Sequence, residues 1–597
     1  MASTIATSSD VFTLLFILIC LGQQPMRKFL LVCYFSSMFS IVFAQLESWS
    51  GWAELDSDQQ IALLDEMNEW LDHPLHVRAL TWSNLNDLPI SATSRDRIWT
   101  MIKSEPNLTL QDVLKSLDSA SWDYAVLSAV VTDNKIAPRQ HYRLRIINGA
   151  GKNDQQYRQT LSARVNQFQI LGLVQRQAGD DSFLQTLSGG LLHESHDASS
   201  RVYLGNFRLD FGLGLAIRQS AFVSGNSLSQ ILPSIKQRVK LHQSAQNYGY
   251  FRGIAYQKKY QHDTFQVLAF FSQMPIRGKM EGSTFRPYPA SQSEDLLFRT
   301  ETTFGTSLIY RNEKNTVVQA GILADQLASA WRFPIEIDLT QTIGHLMLTY
   351  GSGWSGGDTL VQIAGLQLDG KTVRTALSFW HLGWIGKSVY RLSAPNSAME
   401  RENTQGASMG FRIQVQPGMY LDISSWFHKP VVLVGLAENG WKQGFSLRLT
   451  WRQGNVFWRL QKSETVTESH KISVQFTQHH EKSFVLNEVF KITRTGDQIG
   501  GMAGLRWQHK LEKWQTVLGV ARFVAEDFTV RQYAYESDVT NAFSVPLYYG
   551  NGARMYLLER FKGPFWSMEF KVGQWRQYRA DGTSNKFDGT LQLSIVL

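Results

Sequence analysis

The chain has 597 residues, a formal net charge of +8 and 43% hydrophobic residues, which excludes a disordered polymer. Charged residues make up 18%, too dilute for composition alone to mark a nucleic-acid binder. Aromatics reach 12%, with 18 Trp and 45 Gly, a bias that suits interfacial girdles and tight turns.

At the amino end stand two apolar runs, Val11–Leu21 and Phe29–Ala44. The second has the anatomy of a secretory signal: basic Met26-Arg27-Lys28, an apolar core from Phe29 to Phe39, and Val42-Phe43-Ala44 before Gln45. Residues 1–25 then read as an upstream extension and 26–44 as the signal. A two-helix membrane anchor competes, but the first run is too short for the ~30 Å of hydrocarbon a helix must cross. Both cysteines, Cys20 and Cys33, fall inside this leader. The chain from Gln45 onward therefore has no disulfide, thiol nucleophile or cysteine metal site. No later apolar run of about 18 residues suits a membrane helix.

From 45 to 120 the texture is helical. Ser57 or Asp58 caps a helix carrying Ile61, Leu64, Met67 and Leu71, a short helix runs Ser83–Leu88, and a third runs Thr93–Ser104. Thr109 caps a fourth piece holding Leu110, Val113, Leu114 and Leu117. Residues 70–114 (WLDHPLHVRALTWSNLNDLPISATSRDRIWTMIKSEPNLTLQDVL) resemble the helix-hairpin-helix unit of outer-membrane β-barrel proteins with competence-type repeats. In DNA-binding relatives the hairpin is glycine-rich, so that backbone N–H groups reach phosphate. Here Pro89, Ile90 and Ser91 occupy it. Arg95, Arg97 and Lys103 are the residues that would touch DNA or another anion; a periplasmic protein-contact or barrel-plugging role is the competing expectation.

After a connection at 121–139, strands dominate 140–597. Tyr142–Ile147 and Arg164–Leu171 read as a first hairpin. Gly205, Asn206 and Phe207, then Phe211, Gly212 and Gly214, resemble the same barrel family's "GNF … FGQGL" signature. Arg252 and Gly253 resemble its "FRGIA" strand, and Arg299 and Thr300 its "hRT" segment. Leu213 stands where that family commonly has glutamine, and Phe298 where it has histidine. The glycines either let a bent strand or plug backbone press on the wall, or line a narrow path.

Phe445 to Leu460 shows the alternation most fully. Phe445, Leu447, Leu449 and Trp451 alternate with Ser446, Arg448, Thr450 and Arg452; after a turn, Val456, Trp458 and Leu460 alternate with Phe457 and Arg459. Successive side chains leave a strand on opposite sides, so one face is bulky and apolar and the other polar. Repeated over this length, the pattern implies lipid outside and a wet lumen inside. The final stretch puts Leu591, Leu593, Ile595 and Leu597 on one face, as expected of a strand that closes the barrel. Roughly 16–22 strands are expected.

His193-Glu194-Ser195-His196-Asp197 is the densest group of metal-ligand types, and His479-His480-Glu481 a second. Both sit in turn-like composition and read as solvated loops. No G-x-S-x-G elbow marks a hydrolase. The fold expectation is mainly β: a large antiparallel transmembrane barrel behind a small all-α helix-hairpin-helix-like domain. The expected function is a non-enzymatic outer-membrane channel, transport component or assembly platform. It would have no catalytic residue, cofactor or metal, with lipid and a periplasmic or envelope protein as partners. DNA uptake through the helical domain and an outer-membrane hydrolase are the alternatives.

Overall fold

Period-two alternation commits the chain between Gln140 and Val596 to one closed antiparallel sheet. The computed structural model describes residues between 75 and 596, leaving out a number of connections, the longest being 219–234 and 383–403. Within it, 24 strands form a ring, each bonded to its sequence neighbour. The last strand, Gly582–Val596, pairs with the first, Gln140–Asn148, through Tyr142↔Ile595 and Leu144↔Leu593. Closure leaves no sheet edge with unpaired backbone groups, which hydrocarbon would not tolerate.

The expected count of 16–22 strands is too low. Arg164–Leu171 is not one strand: it spans the end of Gln155–Val165, a tight turn, and the start of Phe168–Arg176. Asn166 takes positive φ (52°) in that turn, a conformation asparagine tolerates. The partner of the first strand is therefore Gln155–Val165, with Tyr142 opposite Leu161. Its glutamines and arginines hide it in a hydropathy pattern, because one whole face looks into the lumen.

The wall has the expected two chemistries. On Ile335–Ile343, Ile335, Ile337 and Leu339 are exposed, while Glu336 and Asp338 are fully buried inside. On Gln498–Lys510, Leu505 is exposed and Arg506 buried. Leu505 sits near the middle of its strand, where the outer face meets hydrocarbon. Leu505→Arg is expected to destabilise the barrel by about 2–4 kcal/mol, read from the urea midpoint of folding into lipid vesicles. Arginine at Arg506, one residue away, is tolerated because it faces the lumen.

The two ends differ. At one end the connections are tight, 195–199 being the longest; the other carries 213–250, 383–403 and 526–549. We term these the turn end and the loop end.

Before the barrel lies a small helical unit with its own apolar core. It contains α1 (Ala92–Ser104), α2 (Leu110–Lys115) and α3 (Trp122–Val130), plus a short parallel pairing of Leu75–His76 with Val131–Thr132. Val77, Leu85, Ile98, Val113, Leu127 and Val131 share that core. Trp122–Val130, within the stretch that reads as a connection, thus supplies a core helix. Thr109 caps α2 as expected, in a reciprocal capping box with Asp112. The helix expected from residue 57 lies outside the described residues.

Candidate functional site: the occupied lumen

The strand Ser200–Gly212 begins as an ordinary wall strand and ends somewhere else. Its first part pairs with Thr186–Glu194 and with Phe251–Tyr260. From Phe207 onward its partner is Lys236–Leu241, a strand that is not part of the ring. The pair bends into the lumen. Its tip crosses to Thr316–Leu327, Ile335–Ile343 and Leu346–Trp354, several strands around the wall.

Family-like residues cluster where the strand leaves the wall. Phe207 faces Phe251, Asn206 faces Arg252 and Gly205 faces Gly253. Arg252 Nε donates to Asn206 Oδ1 (2.9 Å), and Asn206 Nδ2 donates to Ser188 Oγ (3.0 Å). The rings of Phe207, Phe251 and Phe270 pack together at 5.1–6.5 Å. Arg299 and Thr300 stand apart, opposite Ile276 and Pro275 toward the loop end.

The tip, Phe211 to Leu215, is gripped by two carboxylates. Leu213 N–H donates to Asp338 Oδ2 (2.9 Å), and the N–H groups of Gly214 and Leu215 both donate to Glu336 Oε1 (3.1 Å each). These acceptors satisfy backbone donors that burial would otherwise leave unpaired, at a cost of about 1–3 kcal/mol each. Gly212 makes the approach possible: at φ +65°, a Cβ there would lie 2.0 Å from Asp338 Oδ2. Opposite, a Cβ on Gly321 would lie 1.8 Å from the Phe211 ring, so only glycine lets the ring seat. Leu213 and Leu215 pack with Ile309, Ile363 and Trp380. At Gly212 the inserted backbone is pressed on the wall. Lys236–Leu241 is fixed in turn by Gln237, whose Nε2 donates to Ser307 Oγ (2.8 Å).

Described residues of a second connection, among them Gln532–Tyr533, Glu536 to Val539 and Leu547–Tyr548, also enter the lumen. Glu536, within it, is buried and held by Arg554 (Nε, 2.8 Å; Nη2, 3.1 Å), Lys571 (3.1 Å) and the Tyr548 hydroxyl (3.1 Å). Lys491 Nζ donates to the Tyr533 carbonyl (2.7 Å), and Tyr556 accepts at its hydroxyl from the Ser537 N–H (3.1 Å).

The remaining candidates resolve into local structure. Glu194 pairs with Arg164 (3.0 Å) and Arg201 (2.7 Å). Hydrogen bonds from Ser195 and Ser199 hold the Asp197 carboxyl well below the usual carboxylate range. Among the described residues no group of three or more His, Cys, Asp or Glu is placed to hold a metal. Arg448 and Arg459 face the lumen, their guanidinium carbons 5.2 and 5.3 Å from the Phe457 ring between them. Arg452 lies outside the described residues. In the helical unit, Arg95 is buried, Arg97 donates to the Ser116 carbonyl (2.6 Å), and Lys103 lies 5.3 Å over the Trp99 ring. Ile90 is buried, while Pro89 and Ser91 lie outside the described residues. Arg95, Arg97 and Lys103 are thus each engaged within the unit.

Sequence reasoning passed over Glu336 and Asp338. Their signal was present: two acids alternating with Ile335, Ile337 and Leu339, hence on the lumen face. Glu536 and Arg554 had none, since they meet only through tertiary folding.

No protein-family model matches the chain, and no curated protein matches it. Among solved structures it is similar to the P pilus usher (PapC) translocation pore: TM-score 0.36, 8% identity, 77% of this chain and 99% of that one covered. It is also similar to a mutant of the ferric enterobactin receptor PfeA of Pseudomonas aeruginosa, at TM-score 0.41 and 9% identity, covering 78% and 82%. The FrpB iron transporter from Neisseria meningitidis gives 0.39 and 9%, covering 82% and 83%.

Proposed function

We propose that the chain is an outer-membrane channel or transport component that keeps its own lumen shut. The observation that carries this is the grip of Glu336 and Asp338 on the Leu213–Leu215 backbone. A purely structural barrel has no need to bring a wall strand across its lumen and bind it there with buried carboxylates. The loop end faces outward, and the helical unit stands in the periplasm, where its surface meets an envelope protein.

The balance at the insert is close. Burying an apolar side chain such as Phe211 or Leu213 stabilises by roughly 2 kcal/mol, about what fixing one residue's backbone costs. The insert should therefore unfold well before the ring, whose bonds are continuous. Planar-bilayer recording of the purified chain starting at Gln45 tests this. Without denaturant the protein is expected to be nearly silent. In urea at about 2–4 M it should show large steps that vanish on washing, since insert stability falls linearly with denaturant. Large steps without urea, or silence throughout, would refute a lumen closed by a releasable insert. Removing residues 45–133 is expected to leave the silent state unchanged, because the segments filling the lumen belong to the barrel.

A further inference from the structure

Glu536 sits where an outside anion would sit. Its carboxylate arrives on a connection, but every group that binds it apart from Tyr548 comes from the wall. Arg554 meets it side-on with two N–H groups, the geometry suited to planar carboxylates and to phosphates. Lys571 reaches both Glu536 (3.1 Å) and Asp538 (3.6 Å). Arg560 donates to the Asp538 carbonyl. Farther along the same wall, Arg145 lies directly across from Arg158, with its Nε on Gln592 Oε1 (2.8 Å). These five cations are set against two wall carboxylates, Asp588 on Arg554 and Glu569 on Arg560. With the insert in place, Glu536 and Asp538 supply charge that the wall lacks.

Resting on the reading of the barrel as a gated passage, we propose that this face of the lumen is an anion site. Its ligands are carboxylate- or phosphate-bearing substrates, and residues 536–538 are its tethered occupant. Lifting the insert out strips Lys571 of Glu536 and Asp538 and leaves Arg554 with Asp588 alone in a confined lumen, which is costly unless another anion replaces it. Release of the insert and entry of the anion are then one exchange. By linkage each favours the other equally.

The test uses a thiol reporter in the whole protein. Ser537 is fully buried in the seated insert, and the chain after the leader has no cysteine, so Ser537→Cys introduces a single hidden thiol. Maleimide labelling is followed in chloride, then in tripolyphosphate or a tetraglutamate peptide at equal ionic strength. Either polyanion is expected to speed labelling by about fivefold or more, and the faster of the two identifies phosphate or carboxylate as the preferred group. Adding Lys571→Gln should abolish most of that acceleration, whatever it does to the rate in chloride. Equal rates in chloride and both polyanions would overturn the proposal. So would undiminished acceleration in the Lys571→Gln protein, or immediate labelling in chloride alone. Because labelling needs no current, a barrel that never conducts would sink the channel reading while leaving this result to stand or fall by itself.

Discussion

Replacing Glu336 and Asp338 together by alanine is expected to turn a nearly silent barrel into one that carries stable current steps. The N–H groups of Leu213, Gly214 and Leu215 are buried and have these carboxylates as acceptors. Leaving a buried donor unsatisfied costs about 1–3 kcal/mol, so the double variant loses several kcal/mol at an insert whose apolar and entropic terms nearly cancel. The wall itself should be little affected. Both side chains point inward, and their strand keeps its ladder with Thr316–Leu327 and Leu346–Trp354. Bilayer recording reads the effect, with heat-modifiable gel migration confirming that the ring still closes. Unchanged silence in a correctly folded double variant would show that the carboxylates do not hold the insert.

Arg554→Ala should have the second-largest effect. It strips Glu536 of two hydrogen bonds and Asp588 of two more, leaving Lys571 as the wall cation on Glu536. Removing one partner of a buried ion pair typically destabilises by about 3–5 kcal/mol. That loss falls on the 526–549 insert, because Arg554 is a wall residue whose backbone stays paired with Trp575 and Ala521. The expected result is proteolytic cleavage within 526–549 of vesicle-embedded protein, at a protease level that leaves the parent intact. Equal resistance in both proteins would mean that the insert is held by contacts other than this cluster. Arg554→Lys keeps the charge but not the side-on pair, and should fall between the two.

Much of the fold could be read from residue pattern, and the reason is physical. Lipid on one side and water on the other impose alternation locally, strand by strand, so Phe445–Leu460 or Lys471–Thr477 reveals its wall position without knowing its neighbours. The capping box at Thr109 is equally local. The pattern failed where a strand's inner face is wholly polar, as in Gln155–Val165, and where a turn is as short as that at Asn166. It also failed at Trp122–Val130, an apolar run that reads as a connection beside the strands but packs as a helix. The candidate site was half legible. Glycines at 205, 212 and 214 announced a close backbone approach, but what they approach depends on register several strands away. Gly321 and Glu336 gain meaning only once Phe211 and Leu213 are known to arrive opposite them. Glu536 and Arg554 illustrate the same limit: a charge in a connection says nothing about the wall it will meet.

The Phe211–Leu215 segment is seated on the wall, and in the proposed function its seating shuts the lumen. A Cβ built on Gly353 lies 3.4 Å from the Leu215 Cβ, close to the Cβ spacing of about 3.5–4.5 Å found in disulfides. The sequence has no cysteine after Cys33, so in the chain starting at Gln45 Leu215→Cys with Gly353→Cys places one pair across this contact. The decisive measurement is bilayer current of that double variant, oxidised and then reduced in the same membrane, in urea sufficient to open the parent. Near-complete crosslinking, silence while the bond is intact, and steps that appear on reduction are expected. Thiols that stay free under oxidation, or a crosslinked protein that conducts as well as the reduced one, would contradict it.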